Sequence, residues 1–217
     1  MDRDALQQGL ASLRLSLPDA AVERLLAYRD LLAKWNRAYN LTAVRDPQAM
    51  LARHLLDSLA ALPYLPAGRV LDMGTGAGLP GIPFAIAQPE RAVVLLDGNG
   101  KKTRFCRQAC AELGLDNARV HQGRAEAITA AELGGGFDAV CARAFATLDA
   151  FWALAHPLLQ PGGQALALKA APEASELQAL DAARIQWRMQ ALPSPDGARR
   201  RCLVVMESRT EQTSRDA

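Results

Sequence analysis

The segment Val70-Leu71-Asp72-Met73-Gly74-Thr75-Gly76-Ala77-Gly78 constrains the fold most. A short apolar run, β-branched at its start, ends in an acid, and three glycines follow at alternate positions. Such a run reads as a buried parallel strand. The glycines let the backbone turn sharply and approach a ligand with no Cβ in the way. Pro80 and Pro83 follow in Leu79-Pro80-Gly81-Ile82-Pro83-Phe84-Ala85-Ile86-Ala87, which reads as a helix because proline is tolerated in a first helical turn. Strand, glycine loop and helix in succession form a nucleotide-type binding element of an α/β domain.

The spacing narrows the ligand. A dinucleotide fingerprint is G-x-G-x-x-G, with a pyrophosphate on the helix N-terminus. Here Gly74, Gly76 and Gly78 alternate behind Asp72, and a carboxylate sits badly beside a pyrophosphate. It suits a ligand carrying positive charge, and S-adenosylmethionine carries a sulfonium and an ammonium. A second apolar run, Ala92-Val93-Val94-Leu95-Leu96, ends in Asp97. That is roughly twenty residues past the loop, where an acid can take both ribose hydroxyls. The plain alternatives are a tight turn for the glycines and a helix cap for Asp97.

Composition bounds the rest. With 217 residues, 50% of them hydrophobic, the chain supports one large domain, or a domain with an extension, around a full core. The charged start Met1-Asp2-Arg3-Asp4 has no apolar signal region behind it, and no apolar run approaches the roughly eighteen residues of a membrane span. The expected location is cytoplasmic. Cys106, Cys110, Cys141 and Cys202 contain no C-x-x-C pair, so they read as small core thiols and no metal site is expected. The net charge of +2 excludes a polycation. Basic residues nevertheless cluster at Lys101, Lys102, Arg104 and Arg107, and again at Arg199, Arg200 and Arg201. Each cluster alone is a solvated face; near a cofactor loop, together they point to nucleic-acid phosphates.

Residues 1–64 read as all-helical. A long helix opens at Pro18-Asp19 with Val22, Leu25, Leu26, Leu32, Trp35 and Tyr39 at helical spacing. Another opens at Asp46-Pro47, with Asp46 as N-cap. From Arg69 onward, strands and helices alternate: a basic helix from Lys101 to Leu113, strands at 119–121, 137–144 and 165–169, and a helix from about Asp149 to Leu159. Residues 185–192 and 202–207 read as a final strand pair around Pro193-Ser194-Pro195-Asp196-Gly197. The pattern specifies a doubly wound, mostly parallel α/β sheet, Rossmann-like, with one antiparallel strand at its edge. The expected division is a helical extension at 1–64, a main domain at 65–209 and a disordered tail at 210–217.

Between Lys34 and Lys169 the chain resembles the RsmG (GidB) family of ribosomal RNA small-subunit methyltransferases. The residues that carry the resemblance are Lys34-Trp35-Asn36, Tyr39-Asn40-Leu41-Thr42-Ala43-Val44-Arg45-Asp46-Pro47, Arg53-His54-Leu55-Leu56-Asp57-Ser58, Asp72 to Pro83, Gly123-Arg124-Ala125-Glu126 and Arg143-Ala144-Phe145. General methyltransferases share only the glycine loop. The resemblance implies a seven-stranded methyltransferase sheet with an added helical layer. It also implies methyl transfer from S-adenosylmethionine to N7 of one guanosine in bacterial 16S rRNA, naked or within the subunit, with no stable protein partner. By position, Gly74 and Leu79 would line the methionine end of the cofactor, Ala125 and Glu126 would flank the adenine, and Arg143 would lie at the mouth of the site. Gly98 departs from the family's serine after the ribose acid, which removes a side-chain hydroxyl from the cofactor. Ala170 stands where a glycine is common.

The residues themselves leave several roles open. Asn40, with Asn36, reads either as a helix cap or as substrate-facing, and Asn40 and Arg143 are the candidate positioning residues for the reaction. His54 and Asp57 share a helix face, as a structural pair or as part of the site. Lys169 ends a strand at the corresponding edge, and Trp35 reads as core. Two further classes stand beside methyl transfer: a nicotinamide oxidoreductase, opposed by the glycine spacing and Asp72, and a nucleic-acid scaffold with a degenerate loop, opposed by the intact Asp72, glycines and Asp97.

Overall fold

The structure, a computed structural model, describes residues 1–143, 145, 147–194 and 200–208. The expected tail at 210–217 and Arg199 lie outside them.

Helices α1 (Asp2–Ser12) and α2 (Asp19–Tyr39) lead the chain. A continuous helical segment follows, made of α3 (Pro47–Met50), a π-helical stretch at Leu51–Leu56 and α4 (Asp57–Leu59). Asp46 caps it by accepting from the amides of Gln48 and Ala49, with Pro47 in the first turn, as the sequence implies. The remaining elements are β1 (Val70–Met73), α5 (Gly81–Ala87), β2 (Val93–Asp97), α6 (Gly100–Leu113), β3 (Ala118–Gln122), β4 (Phe137–Arg143), α7 (Leu148–Ala155), β5 (Leu159–Lys169), α8 (Ala174–Ala182), β6 (Gln186–Leu192) and β7 (Arg201–Glu207).

The seven strands form one sheet in the order β3-β2-β1-β4-β5-β7-β6. Pairing is parallel from β3 to β5 and antiparallel between β5 and β7 and between β7 and β6. The sheet is therefore mixed, which corrects the mostly parallel expectation. The antiparallel strand β7 also lies inside, not at the edge. The reason is in the burial. Cys202 to Met206 are apolar and buried on both faces, whereas all of β6 but Leu192 is exposed or half-buried. The apolar strand takes the inner position and the polar strand the edge.

The sheet alternates its side chains between two apolar clusters. Val70, Val93, Leu95, Ala139, Cys141 and Leu166 face α5, α6 and the N-terminal helices in one continuous cluster. Leu71, Met73, Val94, Leu96, Val140 and Ala165 face α7 and α8 in the other. Gly81 permits the close seat of α5 on the sheet, since a Cβ there would come within 2.2 Å of Leu95 Cδ2. The helix expected to reach Leu159 ends at Ala155 and tightens into a 3-10 turn at His156–Leu158. Pro157 has no N–H to continue the ladder. Helix α8 had no counterpart in the sequence reading. Leu180 is its one fully buried residue, so its apolar stripe is faint, although Glu173 and Glu176 form a capping box.

Candidate active site

In an open α/β sheet, ligands bind beyond the carboxyl ends of the strands, where the strand order reverses. Here that point lies between β1 and β4. Two clefts open there, one on each side.

The first cleft, of about 500 Å³, is lined by Gly74, Asp97, Gly98, Asn99, Gly123, Ala125, Glu126 and Phe145, among others. It unites Gly74, Asp97, Ala125 and Glu126, which the sequence singled out from three separate segments. Gly74 adopts φ +70°, and the glycine loop is held by many bonds. The amides of Gly74 and Thr75 donate to the carbonyl of Leu96 at 2.8 and 2.9 Å. The amide of Gly76 donates to Asp97 Oδ2 at 2.9 Å. Asp97 Oδ1 accepts from the amide of Asn99 at 2.8 Å, and Asn99, not Asp97, caps α6. A carboxylate has about four lone-pair sites, so Asp97 retains acceptor capacity for hydroxyls in the cleft.

Asp72 lies beneath the loop and does not line the cleft. Its Oδ2 accepts from Thr75 Oγ1 at 2.6 Å and from the amide of Gly81 at 2.7 Å. Its Oδ1 is buried with no partner among the described residues. Burial pushes its pKa up to about 6, against the two hydrogen bonds that lower it. Asp72 thus pins the loop to the start of α5. Gly76, Gly78 and Leu79 likewise shape the loop without lining the cleft.

The second cleft, of about 580 Å³, lies beyond β4 and β5 and gathers Val44, Arg53, His54, Asp57, Arg143, Lys169 and Arg201. Arg143 faces this cleft and not the first. Its Nη1 donates to the carbonyl of Arg53 at 3.0 Å and lies 3.5 Å from Asp57 Oδ2. Arg201 Nε donates to Asp57 Oδ1 at 2.6 Å. Arg201 is therefore part-buried and paired, unlike the exposed phosphate contact expected of it. Lys169 is paired with Glu176.

His54 and Asp57 do not bond to each other. The π-helical stretch and the packing around it send them to different partners. His54 Nδ1 lies 3.0 Å from the carbonyl of Arg53, which can only accept, so Nδ1 carries the proton. Nε2 then accepts from Thr42 Oγ1 at 2.9 Å. Burial, with Arg143 nearby, lowers the His54 pKa to about 4. Asn36 pins the same wall: its Oδ1 accepts from the Thr42 amide at 2.9 Å and its Nδ2 donates to the Val44 carbonyl at 3.1 Å. Asn40 is the left-handed C-cap of α2, at φ 50°, with Arg45 as its side-chain partner. It lines neither cleft.

A groove of about 720 Å³ runs along α6 from the first cleft, lined by Asn99, Lys101, Arg104, Arg107, Gln108 and Gln122. Lys102 points away from it, 3.9 Å from Asp97. Arg200 is exposed and borders a separate groove near β6.

Two residues had no role in the sequence reading. Tyr28 is fully buried, and its hydroxyl donates to the carbonyl of Ala77 in the glycine loop at 2.6 Å. The signal was its place in the Leu25, Tyr28, Leu32 stripe, where a buried tyrosine must find a hydrogen-bond partner. Phe145 covers Gly74 and packs on Phe151 with ring centroids 5.5 Å apart.

Sheet order, glycine loop and cleft define the fold of the class, and the family match to residues 21–202 defines its activity: an S-adenosylmethionine-dependent methyltransferase. The fold is shared with the glycopeptide N-methyltransferase MtfA, solved with S-adenosylmethionine, at a TM-score of 0.59 and 16% identity over 72% of this chain and 88% of that one. The chain belongs to the GidB family, rRNA small subunit methyltransferase G, whose model matches residues 21–202. It is 50% identical over 197 residues to the Ribosomal RNA small subunit methyltransferase G of Chromohalobacter salexigens, covering 90% of this chain and 92% of the relative. Against the protein of the same name from Methylococcus capsulatus it is 52% identical over 177 residues, covering 82% and 85%.

Proposed function

We propose that the protein methylates N7 of a guanosine in small-subunit ribosomal RNA, holding S-adenosylmethionine in the first cleft and the guanosine in the second. The observation that carries this reading is the pair of clefts beyond the carboxyl ends of the adjacent strands β1 and β4, with the residues of the family resemblance divided between them. In this reading residues 1–64 are a helical layer on a methyltransferase unit at 65–209, and the work is done in the cytoplasm. Among the described residues no helix is long and apolar enough to cross a membrane.

The Gly74 backbone, the Asp97 carboxylate and the Ala125-Glu126 wall hold the cofactor. The cleft volume lies within the range of small-molecule sites, and an acid with spare lone pairs fits a ribose diol. When bound, the cofactor supplies an electrophilic methyl on a sulfonium. Guanine N7 carries an exposed in-plane lone pair, so no proton has to be removed before attack. The chain's task is alignment and exclusion of water. Arg143, on the substrate side, serves a phosphate or the guanine carbonyl oxygen, because a cation aimed at N7 would oppose the charge that forms there. Asn40 acts as a cap. His54 is neutral at pH 7, and its basic nitrogen is engaged by Thr42.

The test is methyl transfer from labelled cofactor to small subunits or their RNA, followed by chain cleavage selective for N7-methylguanine. Label at another atom, or none, would refute the reading. Asp97→Ala is expected to weaken cofactor binding by about 1–3 kcal/mol, the range for hydrogen bonds to a charged group. Calorimetry giving an affinity within twofold of wild type would place the ribose elsewhere.

The pH behaviour separates rate from stability. Single-turnover transfer is expected to be nearly flat from about pH 7 to 8.5, because no group in the reaction titrates there and Asp72, with its pKa raised to about 6, is ionised throughout. His54→Gln is expected to keep most of the rate. Its stability profile should differ. The unfolded chain takes up the histidine proton near 6.5, but the native site resists it down to about 4. Acidification through that window therefore favours unfolding of wild type, by about 3 kcal/mol in full. Asp72 works in the opposite sense, as its native pKa is raised, but it is common to both proteins. Melting curves at pH 7 and pH 4.5 should show His54→Gln losing less stability than wild type. Parallel losses, or a chemical step that rises tenfold per pH unit and collapses in the variant, would contradict this account.

A further inference from the structure

Arg143 ends β4, Arg201 opens β7 and Asp57 belongs to the N-terminal helical segment, yet the three side chains meet on the wall of the second cleft. We infer that Asp57 is a positioning residue that locks Arg143 and Arg201 into one rigid fork facing the substrate. This rests on the reading that the second cleft takes the target nucleotide.

The geometry is specific. Each carboxylate oxygen of Asp57 faces a different guanidinium: Oδ1 accepts from Arg201 Nε at 2.6 Å, and Oδ2 lies 3.5 Å from Arg143 Nη1. Asp57 itself is 7% exposed, so its charge is largely withdrawn from water and depends on these partners. Arg143 is fixed a second time by the carbonyl of Arg53 at 3.0 Å. Arg201 spends only Nε on the carboxylate. Its two terminal amino groups have no partner among the described residues, and both arginines line the cleft. Two guanidiniums around one carboxylate leave a net positive charge on the fork, suited to an electron-rich oxygen of the nucleotide. Without the carboxylate, two long cations would repel each other and sample many rotamers, and ordering them would fall to the substrate.

Asp57 therefore acts through the arginines and need not touch the base. In the reverse case Asp57 would accept from the guanine edge with the lone pairs that the two guanidiniums leave free. The two cases differ in how mutations combine.

The experiment measures kcat and KM for small-subunit methylation, with calorimetric cofactor affinity, in wild type, Asp57→Asn, Arg201→Gln and the double variant. Asp57→Asn is expected to lower kcat/KM by about thirtyfold or more while leaving cofactor affinity within twofold. The double variant should be no worse than the poorer single one. Arg201→Lys, which keeps the charge and the fold but loses the Nε contact, should lose activity to a similar degree. Effects that multiply in the double variant would assign Asp57 to the substrate and overturn the inference. So would Asp57→Asn with kcat/KM within threefold of wild type, or Arg201→Lys fully active should Asp57→Asn not fold. Inactive wild type on this substrate would instead refute the functional reading beneath it.

Discussion

Gly74→Val is expected to leave no measurable binding of S-adenosylmethionine while the fold persists. Gly74 sits at φ +70°, a conformation that costs an ordinary L-residue roughly 1–3 kcal/mol and a β-branched one more. A Cβ at this position would lie 3.6 Å from the Phe145 ring, an ordinary contact, so the first added carbon is not itself a clash. The loss comes from two other sources. The backbone must leave its left-handed turn, which displaces the amides that bond the Leu96 carbonyl, and the branched methyls intrude on the cleft that Gly74 lines. Gly74→Ala, with one carbon and less strain than a β-branched residue, should fall between. Calorimetry with circular dichroism on the same samples makes the comparison. A folded valine variant that binds within tenfold of wild type would remove the loop from the cofactor site.

The second large effect is on RNA. Replacing Lys101, Arg104 and Arg107 together by glutamine should lower affinity for small-subunit RNA by about ten- to a hundredfold at low salt. It should also flatten the dependence of log K on log salt by about two to three units, as each phosphate contact contributes roughly 0.7–0.9. All three line the groove along α6, which shares Asn99 with the first cleft. Lys102→Gln alone should change the slope little, because that side chain is turned to Asp97. The methylated atom should stay the same, since phosphate contacts position and do not specify. An unchanged slope in the triple variant would take this face out of the RNA path.

The two predictions draw on features of unequal visibility in the sequence. Gly74 and Asp97 were legible because each ends a short buried strand at a fixed spacing, and a parallel sheet puts such ends side by side. Lys101 and Lys102 looked equivalent in sequence. They differ only because one helical step carries Lys102 round to an acid on β2. Arg201 was read with its neighbours as an exposed basic run, but strand alternation and Asp57 draw it inward, and a contact across 144 residues leaves no local signature. Asn40 was ambiguous between cap and substrate contact, and its backbone at φ 50° is that of a cap. The order of the last two strands turned on burial of Cys202 to Met206 on both faces, which the expectation of an antiparallel edge strand did not take into account. Helix α8 has only a faint apolar stripe, and the helical spacing of Met50, Leu51, Leu55 and Leu59 fits a π-helical turn as well as an α-helical one.

The Tyr28 hydroxyl, bonded to the Ala77 carbonyl, has a consequence for how ligand and fold are coupled. Helix α2 and the glycine loop are braced against each other through a bond shielded from water, and Trp35 on the same helix rests on Phe105 of α6. Whatever stabilises this loop conformation therefore also stabilises the seat of α2 against it. With the cofactor in the first cleft, as proposed, its occupancy and the order of α2 are expected to be reciprocal, each raising the other by the same factor. On that reading, damage to the far side of α2, out of reach of either cleft, is expected to register as a weaker cofactor constant, part of which a saturating cofactor masks as apparent stability.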